Sequence, residues 1–234
     1  MPSVKVMSAG AVQAMVEELG EAFERDNGCR LDRHFGTAGA LRARFVDGEM
    51  TDLLILPAAM IVELDREGRF LHGTVRDLGR TVTGVAIRQG APMPDISTPE
   101  AFKRTLLEAR SVSYTDPKAG GSSGKFFAQL LERLGIAEQV NRKAVLGRRG
   151  YEVAQAVADG RAEIGTTFVS ELLTVKGIRV VGPLPSALHN VNTYTAAVPT
   201  SASAPDAAMA FVRALTDPAK RSRWISAGLE PAFP

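Results

Sequence analysis

The sequence predicts an α/β protein of two lobes joined by two crossing strands. Three observations carry this. Strand, small-residue turn and helix follow one another three times within residues 4–68, the signature of an open α/β layer. Two longer alternating stretches, Leu78–Gly90 and Thr193–Val198, flank the middle of the chain. Between them, Tyr114-Thr115-Asp116-Pro117-Lys118-Ala119-Gly120-Gly121-Ser122-Ser123-Gly124-Lys125 turns a short strand into a helix through glycines and hydroxyls. Lobe one is expected from about 1–80 plus 196–234 and lobe two from 84–192, with crossings near 81–83 and 193–195.

Val4–Met7 is a short β-prone run that Ser8-Ala9-Gly10 ends. Val12, Met15, Val16, Leu19 and Phe23 then recur at helical spacing, and Asn27-Gly28 closes that helix. Cys29–Phe35 is the second strand, and Gly36-Thr37-Ala38-Gly39 opens a helix over Ala40–Asp47. Thr51–Leu56 is nearly all apolar, as suits a parallel strand covered on both faces, and Pro57-Ala58-Ala59 starts a third helix that ends near Gly68. Ligands of such sheets sit outside the carboxyl ends of the strands, so Ser8, Thr37 and Pro57 are expected on one edge.

After the first long strand comes a proline-rich break at Ala91–Ile96, and Thr98-Pro99-Glu100 caps a helix through Glu108. Ser111–Tyr114 is a strand. The Gly-Ser segment that follows is an anion seat, because the first N–H groups of a helix lack internal partners and carry partial positive charge. Phe126, Phe127, Leu130, Leu131 and Leu134 anchor that helix by an apolar face. Further elements are a short strand at Val145, a helix over Tyr151–Asp159, a strand over Ala162–Phe168 ending in hydroxyls, a short helix at Ser170–Thr174 and a strand at Ile178–Val181. The tail Ala204–Ala227 reads as helical, with Met209, Phe211, Val212 and Leu215 packing and Trp224 near its end.

The totals narrow the function. A net charge of +2 without a basic run, and 6% aromatic residues, give neither a phosphate-tracking groove nor a stacking platform, so no nucleic-acid partner is expected. Cys29 is the single cysteine, which excludes an internal disulfide and a multi-cysteine metal site. No metal or cofactor is expected, nor any membrane insertion, and the chain is expected as a monomer. Met1-Pro2-Ser3 leads into the first strand without a basic and then apolar leader. The chain as it stands is therefore expected in the cytoplasm, and in the periplasm if a leader has been removed.

Six segments together resemble the molybdate-binding-protein-like family of ABC-transporter substrate-binding proteins, the type II periplasmic-binding-protein fold. They are Val6–Ala11, Phe35–Leu41, Asp52–Pro57, Tyr114–Pro117, Gly120–Gly124 and Ala162–Gly165, and the resemblance covers nearly the whole chain. It implies two α/β lobes with two hinge strands, closing on a small anion held by helix N-termini, and an ABC permease as partner. Carried over by position, Ser8 matches the hydroxyl after the first strand and Thr37 the hydroxyl opening the second helix. Ser122 or Ser123, and Thr166 or Thr167, stand where the second lobe supplies donors. The ligand-binding set so implied is Ser8, Ala9, Thr37, Ala38, Gly39, Pro57, Arg80, Ser122, Ser123, Gly124, Thr166 and Thr167. Thr37-Ala38-Gly39 stands where molybdate binders have a serine pair, and Thr166-Thr167-Phe168 where they offer a tyrosine hydroxyl. The resemblance therefore implies a small anion, oxyanion or di- or tricarboxylate, without specifying molybdate.

The same group includes proteins similar to aconitate isomerase, which move a double bond in a tricarboxylate. A 1,3-proton shift needs a base near neutral pKa and donors for the enolate-like charge. The donors are present, whereas Asp116, His34 and Tyr114 carry no motif that fixes one of them as the base, so no catalytic residue is assigned. Arg42, Arg44 and Arg80 are the carboxylate-clamp candidates, Arg80 foremost because it lies on a crossing strand. A sensor domain of a transcription regulator is the third class, and no helix-turn-helix segment precedes the first strand.

Overall fold

The computed structural model describes residues 3–234, and Met1-Pro2, on which the leader argument rests, lie outside them. In chain order the elements are β1 (Ser3–Ala9), α1 (Gln13–Asn27), β2 (Arg30–Gly36), α2 (Ala38–Val46), β3 (Leu53–Pro57), α3 (Ala58–Arg66) and β4 (Arg76–Arg88). There follow α4 (Pro99–Glu108), β5 (Val112–Thr115), α5 (Ser122–Arg133), α6 (Ala137–Asn141), β6 (Ala144–Gly147), α7 (Gly150–Ala158), β7 (Ile164–Phe168) and α8 (Val169–Leu172). The chain ends with β8 (Ile178–Pro183), β9 (Val191–Ala197), α9 (Pro205–Leu215), α10 (Arg221–Ser226) and β10 (Glu230–Pro231). It divides into two compact units, one running to Arg80 and resuming at Asn192–Pro234, the other Thr81–Val191.

In the first unit β1 lies between β2 and β3, parallel to both, and β9 runs antiparallel to β3. All five residues of β3 are buried, as expected of a strand covered on both faces. Helices α1 and α9 pack together through Phe23 and Phe211, with ring centroids 5.2 Å apart. Gly28 closes α1 in the left-handed conformation, its N–H donating to Glu24 O at 3.1 Å.

Asp52, just before β3, ties three segments of this unit. One carboxylate oxygen accepts from Lys5 N–H at 2.8 Å, and the other from Ser203 N–H at 2.7 Å, Ser203 Oγ at 2.8 Å and Ala204 N–H at 3.0 Å. Burial alone would raise this carboxyl, but the four donors outweigh it and hold the group below the usual range.

The tail departs from the continuous helix expected over Ala204–Ala227. It breaks after Leu215, and Asp217 caps a 3-10 turn at Pro218–Lys220 before α10 begins. The cause is Pro218, which has no N–H to continue the helix and pushes the residue before it out of helical geometry. Trp224 is fully buried, its indole N–H donating to Leu215 O at 3.0 Å. Its ring fills the space over Gly79, where a Cβ would come within 2.8 Å of it.

In the second unit β7, β5 and β6 are parallel neighbours, and the later part of β4 pairs antiparallel with β7 and β8. The core gathers Phe102, Leu106, Val112, Phe127, Leu130, Leu131 and Ile164, with Phe126 and Leu134 packed against it half-exposed, so the expected apolar face of α5 is realised. Tyr114 packs on Phe127 with the rings tilted and their centroids 5.1 Å apart, and donates its hydroxyl to Asn141 Oδ1 at 2.5 Å. Helix α5 presses on the end of β5 so closely that a Cβ on Gly124 would meet Thr115 O at 2.3 Å.

Two outcomes follow. Gly124→Ala sets a methyl group against backbone rather than a yielding side chain, and should cost about 1–3 kcal/mol in urea denaturation. Asp52→Ala strands three backbone N–H groups, and should lower stability at neutral pH by about 2–4 kcal/mol. Because the folded state holds Asp52 below its unfolded value, its contribution is present above the unfolded value and disappears as pH falls through the folded one. The gap between wild type and Asp52→Ala should therefore narrow in acid.

Candidate functional site

The parallel ladders decide which turns share an edge. In the first unit Ser8 lies opposite Phe35 and Ile55, and Ala9 opposite Gly36, so the exits of β1, β2 and β3 open on one side. Ser8 is fully buried, and its hydroxyl has only a long bond to Ala9 O at 3.3 Å. Thr37 caps α2 by accepting from Ala40 N–H at 3.4 Å, with Ala38 buried and Gly39 half-buried in the first turn. Buried Pro57 precedes α3 without a side-chain cap. Ser8-Ala9, Thr37-Ala38-Gly39 and Pro57 thus present hydroxyls and helix-start N–H groups together.

The three carboxylate-clamp candidates of this unit each have an acidic neighbour. Arg80 stands opposite Glu230 in the β4–β10 ladder, 3.8 Å from its carboxylate in an exposed pair. Arg44 grips Glu49 through two bonds of 2.6 Å, and together with Lys5 it holds that carboxyl down at about 2. Arg42 lies 3.5 Å from Glu63.

In the second unit the exits of β5, β6 and β7 converge likewise, with Thr115 opposite Gly147 and Tyr114 opposite Thr166. Asp116 acts as a turn former: its carboxylate accepts from Lys118 N–H at 2.9 Å, and its own N–H reaches Gly147 O at 2.8 Å. Gly120 takes the left-handed conformation at φ 81° and Gly121 precedes α5, which has no side-chain cap. The first N–H groups of this three-turn helix are therefore left for a ligand or solvent.

Ser122 is half-buried, and Ser123 behind it belongs to a chain of hydroxyls. Ser123 Oγ is 3.2 Å from Thr115 Oγ1 and 3.3 Å from Thr167 Oγ1, which lies 2.8 Å from the Glu171 carboxylate. Among the described residues Thr166 Oγ1 and Ser170 Oγ, 1% and 4% exposed by residue, have no hydrogen-bond partner, nor has Thr83 Oγ1 on the neighbouring strand. The structure thus brings Ser122, Ser123, Gly124 and Thr167 to one place, with Thr166 beside them in the strand.

Glu171 is the residue that sequence reasoning missed. It is the third residue of α8 and accepts from the N–H of Phe168, the residue before that helix, which is half of a capping box. It also accepts from Gly150 N–H at the start of α7, and Gly150 has to be glycine, since a Cβ there would lie 1.9 Å from Glu171 Oε2. Burial pushes the Glu171 carboxyl above its usual range, although the bonds from Thr167, Gly150 and Phe168 pull the other way. The half capping box Phe168-Val169-Ser170-Glu171 was the available signal.

Of the other base candidates, Tyr114 spends its hydroxyl on Asn141, whereas His34 Nε2 makes no hydrogen bond among the described residues. His34 sits on β2 with Nε2 3.0 Å from Asp32 Oδ2, and burial, then the Asp116 charge, push the Tyr114 phenol up. Among the described residues no three His, Cys, Asp or Glu side chains group as a metal site, and no helix is long and apolar enough to cross a membrane.

Known proteins match this arrangement along its whole length. The chain is 30% identical over 235 residues to an aconitate isomerase of a Pseudomonas species, covering 98% of this chain and 88% of that one. The periplasmic molybdate-binding protein of Azotobacter vinelandii superposes with a TM-score of 0.79 at 18% identity, over 97% of this chain and 98% of that one. The sulfate-binding protein SubI of Mycobacterium tuberculosis H37Rv does so with a TM-score of 0.76 at 17% identity, over all of this chain and 88% of that one. The fold is thus the two-lobe type II fold of periplasmic binding proteins. Residues 4–230 match the family described as bacterial extracellular solute-binding protein, and the chain belongs to that family.

Proposed function

We propose that the protein holds a small anion, an oxyanion or a di- or tricarboxylate, by neutral donors at the helix starts, as the substrate-binding component of an ABC transporter. The observation that carries this reading is the start of α5, without a side-chain cap and backed by Ser122 and Ser123. Donors of this kind stabilise negative charge without a counter-ion, so they suit several anions of similar size. The names of the relatives agree, since molybdate and sulfate are small oxyanions. The matching permease is the partner that this reading requires.

A second reading, isomerase of an unsaturated tricarboxylate, is favoured by the 30% identity across 98% of the chain and by Glu171. In such a reaction a base removes a proton from the carbon next to the double bond, the double bond shifts, and a proton returns at its far end. Helix-start donors would stabilise the charge spread onto the adjoining carboxylate. Arg148 and Arg149 follow Gly147, the strand partner of Thr115, and their guanidinium groups have no acidic partner among the hydrogen bonds and ion pairs of the described residues. They are available to a second carboxylate.

Calorimetry with sulfate, molybdate, citrate, trans-aconitate and an uncharged sugar tests the first reading. At least one anion should bind and the sugar should not, and Ser123→Ala should weaken the anion by about tenfold to a hundredfold, the worth of a hydrogen bond to a charged group. Binding of the sugar alone would end it. Incubation with trans-aconitate in deuterated water, followed by NMR, separates the two readings: deuterium uptake or isomer formation identifies an enzyme, and binding without exchange identifies a receptor for that acid.

A further inference from the structure

We infer that an anion at the start of α5 binds together with one proton, which Glu171 takes up. This rests on the anion-binding reading and adds to it. Each hydroxyl in the chain Thr115, Ser123, Thr167 has a single hydrogen to donate, and Glu171 closes the chain. An ionised Glu171 accepts only, so it takes the hydrogen of Thr167 at 2.8 Å. Thr167 then accepts from Ser123, whose hydrogen turns inward, and Ser123 shows lone pairs to the site. A protonated Glu171 reverses the chain: it donates to Thr167, Thr167 donates to Ser123, and the Ser123 hydrogen is free for a ligand. An anion and the Glu171 charge therefore compete for the same hydrogens, besides repelling one another through a poorly solvated interior.

The surroundings favour the proton. Burial already disfavours the charged carboxyl in the empty protein. The elements packed around α8 bring Arg149, Tyr151 and Glu152 from α7 and its cap, Arg179 from β8 and Arg88 from β4, while β7 brings no ionisable group. None of these side chains bonds to the Glu171 carboxyl among the described residues. Arg149 lies over the Tyr151 ring at 5.7 Å, and Glu152 accepts from Arg148 N–H at 2.8 Å. Thr166 and Ser170, next to Thr167 and Glu171 in sequence, also carry buried hydroxyls without a hydrogen-bond partner among the described residues.

The test is calorimetry with sulfate and with trans-aconitate, each in two buffers of different ionisation enthalpy, at several values between pH 5 and 8. Wild type should take up close to one proton per anion where the empty protein is ionised at Glu171 and the complex is not. Over that interval its affinity should fall by up to about tenfold per pH unit as pH rises. Glu171→Gln, a neutral residue of the same shape, should bind with no buffer dependence and a flat profile. Should that variant fold poorly, Thr167→Val, which cuts the chain but keeps the carboxyl, should flatten the profile in part. Wild-type binding without proton uptake at any pH, or uptake unchanged in Glu171→Gln, would overturn the inference. Should neither probe bind, the same measurement is made with whichever of molybdate and citrate does; binding of none of the four anions would overturn the anion reading and this inference with it.

Discussion

In α5 the position of Gly124 leaves no room for any side chain, because the helix backbone lies directly against the carbonyl of Thr115. That contact brings the helix start level with the end of β5, so that Ser123 meets Thr115 and Thr167 together. Gly150 plays the matching part at α7, where the missing Cβ is occupied by the Glu171 carboxyl. The site of the second unit thus depends on two places where backbone must approach backbone, or a carboxyl must approach backbone. The hydroxyls decorate a geometry that the glycines permit.

Two carboxylates, Asp52 and Glu171, perform similar work and respond in opposite ways. Each gathers backbone N–H groups at a helix start, Asp52 before α9 and Glu171 at α7 and α8. Asp52 has four donors spread over both oxygens, enough to outweigh desolvation. Glu171 has three, one of them a hydroxyl that is shared with Ser123, and desolvation wins. The first is a structural tie whose charge is always wanted. The second has its neutral form favoured by desolvation, so its charge is the less firmly held of the two.

Most of the fold was legible because its signals are local. Strand, turn and helix repeat within a few residues, and each apolar face of α1 and α5 is written at helical spacing. The placing of the hydroxyls at strand exits and helix starts was legible for the same reason. What escaped depends on residues far apart in the chain. Glu171 next to Leu172-Leu173 looks like the polar side of a short helix, and Gly150, distant in sequence, is what turns its half-buried carboxyl to the start of α7 as well. The two-residue strand β10 exists only through its pairing with Gly79 and Arg80. Arg42 and Arg44 read as free cations until the fold sets Glu63 and Glu49 beside them.

The division of the chain has a consequence for the order in which the molecule is made. Thr81–Val191 is continuous, so that unit has all its strands as soon as β8 leaves the ribosome. The other unit needs both ends of the chain: β9 to cover β3, Phe211 to meet Phe23, and Ser203 to neutralise the isolation of Asp52. Until the last segment is synthesised, β3 stands as an apolar edge without its antiparallel neighbour. β1–β3 therefore emerge well before the strand and helix that complete their unit, and during that interval they need chaperone protection.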